Sequence, residues 1–217
     1  MRIILAKGGR NGSQFDVLRD IYLWSMDTTD LKYLVNDPWI SFLAGTNPGY
    51  PEKAIKLEMK YIARCIEGMS ADDMKQDIYQ TDDMQKLNPV KAGTLVQLTT
   101  GGNDPGIAGN ILHCRVRYFD PILKRVGLPD DVAALVEKIT SEGIELILVN
   151  TNPVQSRKII LQAGAYGEHQ FRTVEWNNQR MAVNNKNVII ELAPGSGSKF
   201  ILKMNLYANT PNLTFPW

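Results

Sequence analysis

Residues 143–171, GIELILVNTNPVQSRKIILQAGAYGEHQF, decide the fold of this chain. Two apolar runs, at residues 144–150 and 157–163, flank a turn that contains Asn152-Pro153, and a Gly-rich loop follows the second run. Short apolar runs that are bounded by turn residues are typical of β-strands. The stretch therefore predicts two neighbouring strands of an antiparallel β-sandwich.

The same pattern continues on both sides of this stretch. Further strands are predicted at residues 111–119, 170–176, 180–183, 187–192 and 199–207. Short strands at regular spacing favour an antiparallel sandwich over a parallel sheet. One helix is expected to interrupt them at about residues 130–142, because its apolar residues recur at helical spacing and Asp130 can cap it. Those apolar residues are Val132, Leu135, Val136 and Ile139.

The first half of the sequence predicts helices. Their expected positions are residues 14–26, 38–44, 51–68 and 89–99. Asp37-Pro38 is typical of a helix start, and Gly45 of a helix end in the left-handed conformation. Composition changes at GGNDPGIAGN, residues 101–110, which we interpret as a link between domains. The prediction is an α+β protein with a helical domain at 1–102 and a β-sandwich domain at 103–217.

Composition limits the partners of the protein. The 217 residues carry a net charge of +1, with 44% hydrophobic and 22% charged residues. This balance is ordinary for a folded domain and gives no field that would attract nucleic acid or an anionic membrane, so neither partner is expected. Cys65 and Cys114 are expected to be free, buried thiols. No signal peptide or membrane-spanning run is visible, and the compartment stays unassigned.

Two segments of the β region resemble a known group of proteins. Residues 148–171, LVNTNPVQSRKIILQAGAYGEHQF, and 192–217, LAPGSGSKFILKMNLYANTPNLTFPW, resemble the C-terminal region of uncharacterised bacterial proteins. In this chain, helices are followed by a Gly-rich link and a small sandwich. This order is similar to that of the (α/α)-toroid plus β-sandwich enzymes found among glycoside hydrolases and polysaccharide lyases. The resemblance implies a fragment or subunit of a carbohydrate-active protein of the hydrolase or lyase class. The ligand would be an oligosaccharide or polysaccharide, and the β-sandwich would mainly support the helical domain.

The resemblance also carries an expectation about assembly. A complete toroid needs more helical hairpins than residues 1–102 supply, so that domain would be an incomplete toroid with uncovered apolar faces. Such faces usually find a partner, and we expect a homo-oligomer or a companion chain that supplies the missing helices. Two alternatives stay open: a non-catalytic structural or interaction protein that assembles through its helical face, and a sugar-binding module without turnover. The helices could also form a simple layer on the sandwich.

The loop at residues 163–171 holds the candidate catalytic residues. Glu168 and His169 could act as acid and base, and Tyr166 could donate a proton or stack on a sugar. In the structural alternative the loop is a tight corner between strands. Its glycines then supply positive φ angles, and the Glu and His side chains bond to backbone of the same loop.

Other residues are candidates for substrate binding. His113, Arg115 and Arg117 alternate along the strand predicted at 111–119, and a basic face of this kind could grip a carboxylate of an anionic sugar. Trp39 and Tyr50 are candidate platforms for sugar stacking, whereas Trp24 is expected to pack in the core or an interface. The sequence contains no dedicated metal or cofactor motif, so neither is expected.

Overall fold

The computed structural model of the protein describes residues 13–71, 88–104 and 112–217. Within these ranges helices occupy the N-terminal part, and two antiparallel sheets form the C-terminal part. The α+β class predicted from the sequence is therefore confirmed. The sequence before residue 13 and most of the predicted link at 101–110 lie outside the described residues.

Five helical segments lie in the described residues of the N-terminal part. They are α1 (Ser13–Ser25), a 3₁₀ helix (Thr28–Tyr33), α2 (Pro38–Leu43), α3 (Tyr50–Ser70) and α4 (Gly93–Thr100). The predicted cap of α2 is present, since the Asp37 carboxylate accepts bonds from the N–H groups of Trp39 and Ile40 at 2.9 and 3.0 Å. Gly45 follows this helix with a φ of 79°.

Two helix boundaries differ from the prediction by two residues or more. The third helix does not end at Gly68 and continues to Ser70. The fourth does not begin at Pro89, because the Asn88 side chain accepts the N–H of Val90 at 2.9 Å and so closes a local turn. That helix begins at Gly93 and ends at Gly101 in the left-handed conformation, with φ 65°.

In the described part of the chain, nine strands form the two sheets. They are β1 (Val116–Asp120), β2 (Arg125–Val126), β3 (Val132–Thr140), β4 (Gly143–Asn150), β5 (Arg157–Ala163), β6 (Gln170–Trp176), β7 (Gln179–Asn185), β8 (Asn187–Leu192) and β9 (Gly197–Asn205). The first sheet has the order β2-β1-β5-β8, and the second has the order β3-β4-β9-β6-β7. Neighbouring strands are antiparallel in every pair, as the sandwich prediction requires.

The helix predicted at residues 130–142 is wrong, because this segment is strand β3. It pairs with β4 from Val132, opposite Asn150, to Thr140, opposite Gly143. A β-bulge between Val136 and Lys138 shifts the alternation by one residue. Val136 and Ile139, 0% and 6% exposed, can therefore both face the core although they are three residues apart. The bulge thus reproduces the spacing that is otherwise typical of a helix.

One hydrophobic core joins the helices to the sheets. It includes Leu23, Trp39 and Leu98 from helices together with Val136, Leu161 and Phe171 from both sheets. Strand β3 is the main contact of the helices, since α2 and α4 both pack against it. The helices therefore form a layer on the sandwich. Cys65 and Cys114 are buried thiols that form no disulfide, as predicted.

No helix of the described ranges is both long enough and apolar enough to cross a membrane.

Candidate functional site

A cleft of about 460 Å³ opens where three parts of the chain meet. These are the last turn of α1, the segment before β1, and the segment after β9. The cleft also includes two residues of the Gly-rich loop that the sequence singled out, Tyr166 and Glu168. Its lining residues are Trp24, Leu112, His113, Tyr166, Glu168, Tyr207, Pro211, Asn212 and Leu213.

Three stacked rings form one wall of the cleft. The ring of Trp24 lies 4.3 Å from that of His113 with 14° between their planes, and 6.0 Å from that of Tyr207 with 4° between planes. Trp24 is 51% exposed and Tyr207 is 44% exposed, whereas His113 is buried behind them. The wall therefore presents two nearly parallel, accessible aromatic rings, a geometry that suits flat ligand faces.

Tyr207 fixes this wall in place. Its hydroxyl donates to the carbonyl of Trp24 at 2.9 Å and lies 3.5 Å from His113 Nε2. Its backbone N–H donates to His169 Nδ1 at 3.1 Å, and its φ of 53° turns the chain after β9 back towards the cleft. One residue thus connects α1, the segment before β1 and the Gly-rich loop.

Arg115 does not lie on an exposed basic face, and that prediction is wrong. Its side chain is 0% exposed, and Nη2 donates to the Leu23 carbonyl in the last turn of α1. The backbone explains this position. The N–H of Arg115 bonds to Thr100 at the end of α4, and its carbonyl accepts from Gly164, so the strand begins only at Val116. Burial lowers the pKa of the guanidinium from its ordinary value.

His169 is a buried, neutral ring. Its Nδ1 accepts the Tyr207 N–H, and a nitrogen that accepts carries no proton, so the ring proton is on Nε2. That N–H faces Glu168 Oε1 at 3.9 Å. Arg115 Nη1, 3.3 Å from Nε2, is also a donor, and we therefore interpret this approach as a contact rather than a hydrogen bond.

Burial and the Arg115 charge keep both histidines neutral. Desolvation, followed by Arg115, lowers the pKa of His113 to about 4 and that of His169 to about 3. Protonation of either ring would add a second cation beside the buried guanidinium. At pH 7 neither histidine supplies a positive charge to the cleft.

The Glu168 carboxylate closes its own loop. It accepts the N–H groups of Ala165 at 3.2 Å and Tyr166 at 2.8 Å, one on each oxygen. Gly164, with φ 87°, has no room for a side chain, because a Cβ there would overlap this carboxylate. These bonds fit the structural alternative of a tight corner, in which the acid bonds to backbone of the same loop.

The other predicted binding residues lie outside the cleft. Arg117 is half-buried and donates to the Ala165 carbonyl at 3.0 Å. Trp39 is 1% exposed, so the prediction of a stacking platform there is wrong: the cap at Asp37 directs the start of α2 into the core. The Tyr50 hydroxyl donates to Gln97 at 2.8 Å, and its ring lines a separate groove.

Sequence reasoning missed the two exposed rings of the wall. Trp24 was expected to be buried or at an interface, because it lies in an amphipathic helix with other aromatic residues nearby. Tyr207 is the last residue of the strand predicted at 199–207, whereas the observed strand β9 ends at Asn205 and Tyr207 lies in the polar stretch that follows it. The link between this stretch and the Gly-rich loop is visible only in the structure, where the Asn209 side chain donates to the carbonyls of Gly167 and His169.

Comparisons with known proteins reach only the helical part. Residues 30–96 match a family described as a domain of unknown function, DUF8034. No curated protein and no solved structure matches the chain. The match includes no residue of the cleft. Within the described ranges, no group of three or more His, Cys, Asp or Glu side chains could hold a metal ion.

Proposed function

We propose that the protein is a saccharide-binding module without turnover, whose ligand stacks on Trp24 and Tyr207. The observation that carries the proposal is the pair of accessible rings with only 4° between their planes. The C–H faces of sugar rings are apolar and flat, and amphipathic aromatic residues bind such faces while leaving the hydroxyl groups to polar neighbours. The proposal takes up the sugar-binding module without turnover, one of the two alternatives that the sequence leaves open.

The size and chemistry of the cleft support this class of ligand. Its volume of about 460 Å³ is in the range of small-molecule sites. Polar groups near the rings include the Tyr207 hydroxyl and the Asn212 side chain. Residues 148–171 and 192–217 resemble uncharacterised bacterial proteins, and the order of helices, link and sandwich is similar to that of carbohydrate-active enzymes; the proposed ligand class agrees with this architectural resemblance.

The same residues favour binding over hydrolase or lyase chemistry. Glycoside hydrolysis generally uses two carboxylates at a defined separation. Among the described residues that line the cleft, Glu168 is the one carboxylate, and both of its oxygens accept backbone N–H groups. His169 is 0% exposed and so has no access to a ligand.

Removal of the Trp24 ring tests the proposal. We expect wild-type protein to bind members of an array of neutral and uronate-containing oligosaccharides, and Trp24→Ala to lose affinity for the best of them by about tenfold or more. Isothermal titration measures the loss. Tyr207→Phe keeps the ring but removes the hydroxyl that bonds to the Trp24 carbonyl, and it is expected to lose less affinity than Trp24→Ala.

Tyr33→Ala is the matched control, because Tyr33 is 54% exposed and does not line the cleft. We expect its affinity to equal that of wild type. Thermal unfolding of each variant separates loss of binding from loss of fold. An array without any binder, or an equal loss in Tyr33→Ala, would refute the proposal.

One observation favours assembly through the helical face as a second function. Of the 21 residues of α3, Cys65 is the one that is buried. Apolar residues recur along this helix at alternating spacings of four and three, which is the pattern of a coiled-coil seam. They are Ile55, Met59, Ile62, Ile66 and Met69. Met59, Ile66 and Met69 are more than half-exposed, Ile55 is 40% exposed, and Ile62 is partly buried.

This stripe supports the predicted homo-oligomer or companion chain. We expect wild-type protein to sediment as a dimer or larger species, and Ile66→Lys to shift it to the monomer because a charge would enter the seam. Leu57→Lys, on another side of α3, is the control that should leave the mass unchanged. A monomeric wild-type protein across the accessible concentrations would exclude self-assembly.

A further inference from the structure

A second hollow lies between α2, α3 and the start of α4. It is a groove of about 590 Å³, and it shares no lining residue with the cleft. Its apolar surface includes Pro38, Tyr50, Ala54, Leu57 and Tyr61. All its lining residues fall inside residues 30–96, the part that matches the domain family. The groove therefore belongs to that domain rather than to the sandwich.

Two lysines give the groove a positive rim. Lys53 comes from α3 and Lys91 from the segment before α4, and the Lys91 ammonium lies 5.3 Å from the centre of the Tyr61 ring. Within the described part of the chain, neither ammonium group has a carboxylate within 4.0 Å. Among the described residues, both ammonium groups are thus without a carboxylate partner.

The carboxylate of the groove does not offset these charges directly. Glu58 accepts the N–H of Thr94 at 3.2 Å, which ties α3 to the start of α4. Beside it, Leu57 is 69% exposed and Tyr61 is 37% exposed. The groove therefore combines an accessible apolar surface with cationic groups at its edge, which is complementary to a ligand with an apolar body and a negative group.

We propose that this groove binds a small organic anion with a flat apolar body. The body lies against Tyr61 and Leu57, and the anionic group is paired with the ammonium groups of Lys53 and Lys91. A cavity of this volume accommodates a ligand of two or three rings. This site is independent of saccharide binding in the cleft.

Two dyes with the same ring system but different charge test the proposal. The probes are 8-anilinonaphthalene-1-sulfonate and the uncharged N-phenyl-1-naphthylamine, titrated by fluorescence. We expect the sulfonate to bind more tightly, and the double variant Lys53→Gln/Lys91→Gln to weaken it roughly fivefold to tenfold while leaving the uncharged dye unchanged. The preference for the sulfonate should shrink at high salt.

Lys32→Gln is the matched control, since the Lys32 ammonium also lies over an exposed tyrosine, 4.9 Å from the Tyr33 ring centre, away from the groove. It should leave both affinities unchanged. Leu57→Ser should weaken both dyes, because both use the apolar surface. The proposal is overturned if wild type does not bind the sulfonate, if the double variant keeps its preference, or if Trp24→Ala removes binding, which would place the dye in the cleft.

Discussion

Arg115→Met is expected to lower the free energy of unfolding by about 2–4 kcal/mol. The substitution removes the donor to the buried Leu23 carbonyl and withdraws the positive charge from the vicinity of Glu168. Relief of the guanidinium desolvation offsets part of this loss, because burial disfavours the charged form. The lost bond is expected to outweigh this relief, because the buried Leu23 carbonyl is left without this donor.

Urea denaturation measures the effect, and Arg117→Met provides the control two residues along the chain. Arg117 is half-buried and donates one bond to Ala165, so its removal should cost about 1 kcal/mol or less. Hydrogen exchange should also show α1 less protected in the Arg115 variant. If Arg115→Met were as stable as wild type, the buried guanidinium would contribute nothing net to the fold.

Gly143→Ala is expected to cost more than about 3 kcal/mol. Gly143 has a φ of 140°, a conformation that only glycine adopts readily, at the turn between β3 and β4. An added Cβ would overlap the carbonyl oxygen of Leu202 in the neighbouring strand β9. The two backbones would have to separate, and this would disturb the pairing of β4 with β9 at the centre of the five-stranded sheet.

Gly127→Ala separates the cost of the positive φ from the cost of the overlap with Leu202. Gly127 also has a positive φ, 111°, but an added Cβ there would meet no atom within 4 Å. Its substitution should cost only the conformational strain, about 1–2 kcal/mol. Thermal or chemical unfolding of the two variants compares them directly. Equal losses would show that the approach to Leu202 is relieved by a small backbone shift.

Much of the sheet region could be predicted because its turns carry strong local signals. The strands predicted at 157–163, 170–176 and 187–192 match β5, β6 and β8 residue for residue. Asn, Pro and Gly bound these segments and leave little freedom for the ends. Strand β3 could not be predicted in this way, because its bulge gives the apolar residues helical spacing. The sequence pattern alone does not distinguish a helix from a bulged strand. The pairing with β4 makes this segment a strand.

The cleft was beyond prediction because its parts are distant in sequence. Glu168 and His169 were singled out from their own loop, and the structure does bring them near His113 and Arg115. Their bonds, however, are to backbone, and the accessible rings come from Trp24 and Tyr207 instead. Nothing local to residue 24 indicates that residue 207 will cover part of it. Tertiary contact alone decides which aromatic residues stay exposed.

The bond between the Tyr207 hydroxyl and the Trp24 carbonyl spans 183 residues of chain. A ribosome that adds roughly 5–20 residues per second needs roughly 10–40 s to cover that interval. Throughout that time α1 exists without the residue that completes the wall. The aromatic wall therefore cannot form during synthesis until residue 207 has been added. If the proposed ligand stacks on both rings, only a chain made past residue 207 can bind it in this way.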